Sequence, residues 1–128
     1  WIFEPMPLGV WLCVDGGQIV SRERAEASLR AGAADAVGIC LREKLDLGSG
    51  GISEEDYFSY GLIAPASLPP IKIELCQADR RAKTKGIGEL PFDTIPPAFL
   101  SAVAQAAGEA FYSLPLGPEE LAGAAEDA

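Results

Sequence analysis

The chain contains no histidine, a single methionine and three cysteines, and its 19 acidic residues outnumber its 10 basic ones. Without histidine the commonest imidazole ligand and general base is missing, and Cys13, Cys40 and Cys76 form no C-x-x-C spacing. A zinc site or an iron–sulfur cluster held by this chain is therefore not expected, and no residue is assigned as a metal ligand. Three widely spaced cysteines inside apolar stretches read as reduced core thiols of an intracellular protein. A net charge of −9 argues against nucleic-acid binding, which needs a basic surface to displace counterions from phosphate. No apolar run approaches the roughly 18 residues that span a bilayer. No basic stretch followed by a short apolar one marks a signal peptide, so a cytoplasmic location is the matching expectation. The chain opens at Trp1 in what reads as mid-strand, and we expect the natural N-terminus to have been removed or to lie upstream.

What is present fits one globular domain spanning residues 1–128: 48% hydrophobic and 23% charged residues, enough for a modest core. Fourteen glycines and ten prolines predict many turns. Trp1–Phe3 reads as the end of a strand. Val10–Val14 reads as a short strand closed by Asp15-Gly16-Gly17, where a sharp turn is expected. Ser21 can cap a helix running to about Glu43, with Glu23 in its first turn and Arg42 and Lys44 in its last. Leu29, Ala33, Val37, Cys40 and Leu41 recur at helical spacing as a buried stripe. Between them Ala31, Gly32, Ala33, Ala34, Ala36 and Gly38 leave two turns almost free of side chains. A mid-helix glycine costs about 1 kcal/mol relative to alanine, so close approach of another backbone or of a flat ligand should offset it.

Gly48-Ser49-Gly50-Gly51 marks a flexible loop, and Ile71-Lys72-Ile73-Glu74-Leu75 alternates as a half-exposed strand. Arg80, Arg81, Lys83 and Lys85 form the one basic cluster. After Gly86-Ile87-Gly88-Glu89 comes a second helix, capped by Thr94, with Pro96 or Pro97 in its first turn. Its buried face would carry Phe99, Val103, Ala106 and Ala107, and Gly108 would stop it. A short acidic helix is expected from about Pro118. The fold class is α+β, a small mixed sheet packed on two main helices.

A Gly-x-Gly turn ahead of a helix leaves backbone N–H groups unencumbered, able to bond a phosphate, a pterin edge or an oxyanion. Glu89 follows directly, and a carboxylate beside free amides in an apolar setting can be tuned as a general base by desolvation. Taken alone, the motif is more often a helix-entry loop with a surface glutamate.

The ordered set of motifs carries more. Lys85-Gly86-Ile87-Gly88-Glu89-Leu90-Pro91, the alanine-rich Ala102–Gly108 and the closing Ser113-Leu114-Pro115-Leu116 resemble the end of the large subunit of xanthine dehydrogenase and aldehyde oxidase-type molybdenum hydroxylases. Val14-Asp15-Gly16-Gly17-Gln18-Ile19-Val20 and the stretch from Tyr60 through Pro70 into Ile71-Lys72-Ile73-Glu74 match further family segments. The likeness runs from about Val10 to about Leu121. It implies the fold of the family's C-terminal molybdenum-cofactor-binding domain, present as a fragment or as a separate subunit and inactive alone.

The resemblance places Glu89 where the family keeps its active-site base, taking a proton from metal-activated water as an N-heterocycle or an aldehyde is hydroxylated. Lys85, Gly86, Ile87 and Gly88 stand where the family's backbone lies against a molybdopterin cofactor, the cytosine dinucleotide form being one candidate. Gly32 and Ser28 fall on the helix that approaches the pterin. Iron–sulfur clusters and FAD are implied on partner chains, along with the remaining polypeptide of the molybdenum subunit and a small-molecule substrate. The family helix usually reads Gln-x-Glu-Gly-Gly-x-x-Gln-Gly-x-Gly. Here Ser28 and Asp35 replace the two glutamines, and Ala31 and Ala36 replace two glycines. Two other readings stand beside the catalytic one: an assembly module of the same descent that has lost its cofactor, and a small domain binding an anion through Gly86–Gly88 and the Arg80–Lys85 cluster.

Overall fold

Alternating apolar residues in two six-residue runs make the sheet. In the computed structural model, which describes residues 5–48, 50–76, 81–118, 120 and 121, Val10–Asp15 (β1) pairs in parallel with Ile71–Cys76 (β2). The register sets Val10 opposite Ile71 and Asp15 opposite Cys76. Strand side chains alternate between faces. Val14 and Leu75 therefore turn inward and are buried, while Trp11, Cys13, Lys72, Glu74 and Cys76 lie exposed on the other face. The α+β expectation holds, with the described strands parallel rather than mixed. Parallel neighbours need a long crossover, and the helix Arg22–Leu41 (α1) lies within it. The expected strand at Trp1–Phe3 lies outside the described residues.

Ser21 caps α1 as read from the sequence, its Oγ accepting a hydrogen bond from the Arg24 N–H at 3.4 Å. The helix stops at Leu41, so Arg42 is its C-cap and Lys44 lies beyond it. Its buried residues split between two apolar clusters. Leu29 joins Val14 and Leu75 beneath the sheet. Ala33, Ala36, Val37, Cys40 and Leu41 meet Ile63, Ile95, Phe99 and Leu116. The small Ala33 and Ala36 are fully buried, which lets the second helix come close. Leu29 is also fully buried, so Leu29→Ala is expected to cost about 2–5 kcal/mol, read as a lower urea midpoint with an unchanged slope.

The second helix, Leu90–Ala107 (α2), begins earlier than the sequence implied. Thr94 is not its cap. It lies inside the first turns, where its Oγ1 donates to the Leu90 carbonyl at 2.6 Å. The start is set instead by Pro91, a residue suited to the first helical turn because its missing N–H would be unpaired there. Pro96 and Pro97 are consequently interior. Of the expected buried face Phe99 is buried and Val103 partly so, whereas Ala106 and Ala107 are exposed. Gly108 ends the helix in a left-handed conformation at φ 82°, as glycine does most cheaply. The tail then returns to α1, where the Leu116 N–H donates to the Cys40 carbonyl at 2.8 Å and the Leu116 side chain is fully buried. No helix among the described residues is long and apolar enough to cross a membrane.

Candidate functional site

The Gly86–Glu89 turn lies between the end of β1 and the start of α2, against the interior of α1. Asp15 closes β1, and its Oδ1 accepts a hydrogen bond from the Gly17 N–H at 3.0 Å, which folds the chain back on itself. Gly17 takes φ +64°, so the left-handed position falls there and not on Gly16. A Cβ on Gly17 would run into the Lys83 carbonyl oxygen and lie 3.4 Å from the Lys85 Cγ. That contact is one of several pinning residues 83–85 to the turn. The Lys85 N–H donates to the Gly16 carbonyl at 3.0 Å, and the Thr84 hydroxyl donates to the Gln18 carbonyl at 3.0 Å. The Lys85 ammonium also meets Asp15 Oδ2 at 2.9 Å. This ion pair is half exposed on the lysine side, so it contributes at most about 1 kcal/mol. Its larger effect is to fix where residue 86 begins.

Beyond that anchor the chain turns tightly into α2. The Leu90 N–H reaches the Ile87 carbonyl at 3.4 Å, and the Phe92 and Asp93 N–H groups bond the Glu89 carbonyl at 3.0 and 3.1 Å. Glu89 thus sits at the N-cap position, exposed, with no side-chain cap bond. Gly86 and Gly88 are also exposed. Neither has a positive φ, and a Cβ built on either meets nothing within 4 Å. The fold of the described residues therefore gives no reason for glycine at these two positions. What glycine leaves there is bare backbone facing open space.

Gly32 is different. It is buried on α1, and a Cβ there would lie 3.1 Å from the Pro91 Cγ and 3.6 Å from the Gly88 carbonyl oxygen. Its missing side chain leaves room for that protein contact, one of the two close approaches expected from the sequence. Gly32 is the seat on which the Gly88–Pro91 turn rests. Ser28 lies one turn earlier on the same helix and is exposed. Gly32→Val is expected to destabilise the chain by about 1–3 kcal/mol through overpacking against the fully buried Pro91. Thermal unfolding of the variant checks this.

The structure thus brings Lys85, Gly86, Ile87, Gly88 and Glu89 into one anchored turn and places it against Gly32. Sequence reasoning missed the grip of Asp15, Gly17 and Thr84 on that turn. The Asp15-Gly16-Gly17 signal was visible, but its partner some 70 positions away was not. The described residues leave Glu89 exposed and do not bury it. Of the basic cluster, Lys85 is paired with Asp15, Arg81 also has an interaction partner, Lys83 is exposed, and Arg80 lies outside the described residues. Among the described residues no group of three or more His, Cys, Asp or Glu side chains could hold a metal.

The cysteine reading is corrected as well. Cys40 is buried, and burial pushes its thiol up to about 11. Cys13 and Cys76, by contrast, are exposed, because both fall on the outward-facing side of the strand alternation.

A cavity lies elsewhere. An apolar cleft of about 280 Å³ runs between β1, α1 and α2, lined by Trp11, Val37, Cys40, Ile95 and Phe99 among others. No residue of the 83–89 segment lines it. A second apolar groove of about 560 Å³ follows α2 past Leu8, Phe99 and Val103. Large apolar side chains stand in the open around these surfaces, Leu8 at 95% and Trp11 at 69% exposure.

No family profile and no curated protein sequence matches the chain. Solved structures do. Quinoline 2-oxidoreductase from Pseudomonas putida 86 superposes with a TM-score of 0.79 at 21% identity, over 90% of this chain and 16% of that one. The Cu,Mo-CO dehydrogenase, in a carbon monoxide-reduced state, superposes with a TM-score of 0.69, also at 21% identity, over 90% of this chain and 15% of that one. The chain therefore shares the fold of a segment in each of these two oxidoreductases and spans about one sixth of their length.

Proposed function

We propose that this chain is the closing, cofactor-facing part of a molybdenum hydroxylase of the xanthine dehydrogenase type, with Glu89 as its general base. The observation that carries the reading is the bare, anchored Gly86-Ile87-Gly88 backbone leading into an exposed Glu89 that no described side chain caps or pairs. Two glycines that neither packing nor backbone conformation requires are what a flat ligand edge needs if it is to reach main-chain N–H groups. The position also fits, since ligands of parallel α/β units bind outside the carboxyl ends of the strands. The turn hangs from Asp15, at that end of β1.

In this reading the N–H groups of the Gly86–Gly88 stretch hydrogen-bond the cofactor edge. Lys85, tied to Asp15, holds the stretch in place, and the exposed Ser28 hydroxyl offers a short polar contact where the family uses the longer glutamine. When bound, the molybdenum cofactor supplies Lewis-acid activation of water and accepts the two electrons of the oxidation. Glu89 takes up a proton released as the water oxygen is added to carbon. The substrate class is an N-heterocycle, whose ring carbon beside nitrogen is electron-poor, or an aldehyde. The fold neighbour named for quinoline supports the former. Because the described residues leave the Glu89 carboxylate exposed, we assign the wall that excludes water from it to other polypeptide: the rest of the molybdenum subunit, working with iron–sulfur and FAD chains in the cytoplasm. Exposed Leu8, Trp11 and Tyr112 and the apolar groove along α2, away from the Glu89 turn, support a partner surface elsewhere on this chain.

The same exposed apolar surface, with Ser28 and Asp35 in place of glutamines, favours a second reading, an assembly module that no longer touches a cofactor. Metal analysis and cofactor extraction on the native complex separate the two. Stoichiometric molybdenum that crosslinks or maps to the Glu89 turn supports the catalytic part. A complex without molybdenum sinks it.

A further inference from the structure

Parallel pairing of β1 and β2 brings together two thiols that lie 63 positions apart in sequence. Cys13 stands opposite Glu74 and Asp15 opposite Cys76, so the two cysteines are diagonal neighbours on the open face of the sheet. Their sulfurs are 3.7 Å apart, in hydrogen-bonding contact, and both residues are exposed. A disulfide needs the sulfurs at about 2.05 Å and the Cα atoms within about 7 Å, and diagonal neighbours stand at roughly 7–8 Å, so closure needs a small backbone shift as well as sulfur approach. Cys76 is the last residue of β2, where the backbone can shift without breaking the interior of the ladder.

We propose that Cys13 and Cys76 close a reversible intrachain disulfide under a low-molecular-weight disulfide oxidant. One thiol, as thiolate, attacks a sulfur of the oxidant, forming a mixed disulfide and expelling one thiol. The second cysteine then attacks the protein sulfur of that bond, forming Sγ–Sγ and expelling the other thiol. Two electrons and two protons pass from the cysteines to the oxidant, and a dithiol reductant reverses the exchange. Closure ties the carboxyl ends of both strands together. One of these ends carries Asp15, in register with Cys76 and bonded to Lys85, so the anchor of the Gly86–Glu89 turn is tightened when the bond forms. Cys40 takes no part: it is buried and belongs to the other side of the fold.

The test is incubation of the full chain with oxidised glutathione, followed by thiol titration and peptide mapping, neither of which depends on molybdenum or turnover. The expected result is a fall from three titratable thiols in the denatured chain to one, a linked peptide pair containing Cys13 and Cys76, and full recovery on adding dithiothreitol. The variants C13S and C76S should instead retain one glutathione on the remaining exposed cysteine. Glutathione on both Cys13 and Cys76 with no linked pair, or linkage only between separate chains, would overturn the proposal.

Discussion

Replacing Glu89 with glutamine is expected to lower turnover of the assembled enzyme by about 10²–10⁴-fold, the usual contribution of a positioned general base. Molybdenum content and fold should be unchanged. Glutamine keeps the size and polarity of the side chain but cannot accept the proton. The substitution is clean because Glu89 is exposed at the N-cap position of α2, where its side chain makes no cap bond. Surface changes of this kind usually alter stability by no more than about 0.5 kcal/mol. The measurement is kcat with saturating N-heterocycle or aldehyde, alongside metal analysis of both proteins. A variant that turns over within a few-fold of the parent removes Glu89 from the chemistry. It would leave the Gly86–Gly88 backbone as a binding feature only.

Gly17→Ala is expected to destabilise the chain by about 2–5 kcal/mol, from two independent causes. An alanine at φ +64° costs roughly 1–2 kcal/mol in the left-handed region, and its Cβ would be driven into the Lys83 carbonyl, an overpacking cost of about 1–3 kcal/mol. Because the clash is with backbone, it cannot be relieved by rotating a side chain. The chain must give up the bonds that residues 84 and 85 make to Gln18 and Gly16. Urea denaturation reads the stability loss. Hydrogen exchange reads the location, with protection at the Lys85 amide lost first. A variant as stable as the parent would mean that the 83–85 segment is not held by the Asp15–Gly17 turn. The geometric basis for positioning Glu89 would then fail with it.

The two effects are linked through the architecture. Glu89 is placed by Pro91 resting on Gly32 from below and by Lys85 held at Asp15 from the side. A carboxylate on a surface loop with neither support would sample many positions. Catalysis by a base needs it within hydrogen-bond reach of the proton it removes. Gly32→Val and Gly17→Ala therefore probe the supports, and Glu89→Gln probes the group they support.

Several features were legible before any fold was known. Ser21 as a cap, the Leu29–Leu41 stripe, both strands and Gly108 as a stop all depend on local chemistry: a side-chain oxygen near free N–H groups, the 3.6 and 2.0 periodicities, and the low cost of a left-handed glycine. The start of α2 was misread because Thr94 and Pro96-Pro97 look like an ordinary helix entry. The earlier start at Pro91 is favoured by a contact with Gly32, nearly 60 positions away, which no local pattern records. Cys13 and Cys76 were misplaced for a different, local reason, while Cys40 is buried as read. Apolar neighbours suggested a core, but strand alternation turned Cys13 and Cys76 outward.

Local periodicity and turn chemistry thus specify the elements and the Lys85–Pro91 motif, since each rests on residues within a few positions of one another. Which glycines face protein and which face open space is a matter of long-range packing. Gly32 meets Pro91 and Gly17 meets Lys83, while Gly86 and Gly88 meet nothing. Only chain segments brought together from opposite ends of the sequence can make that distinction, because steric contact depends on distance in space and not along the chain.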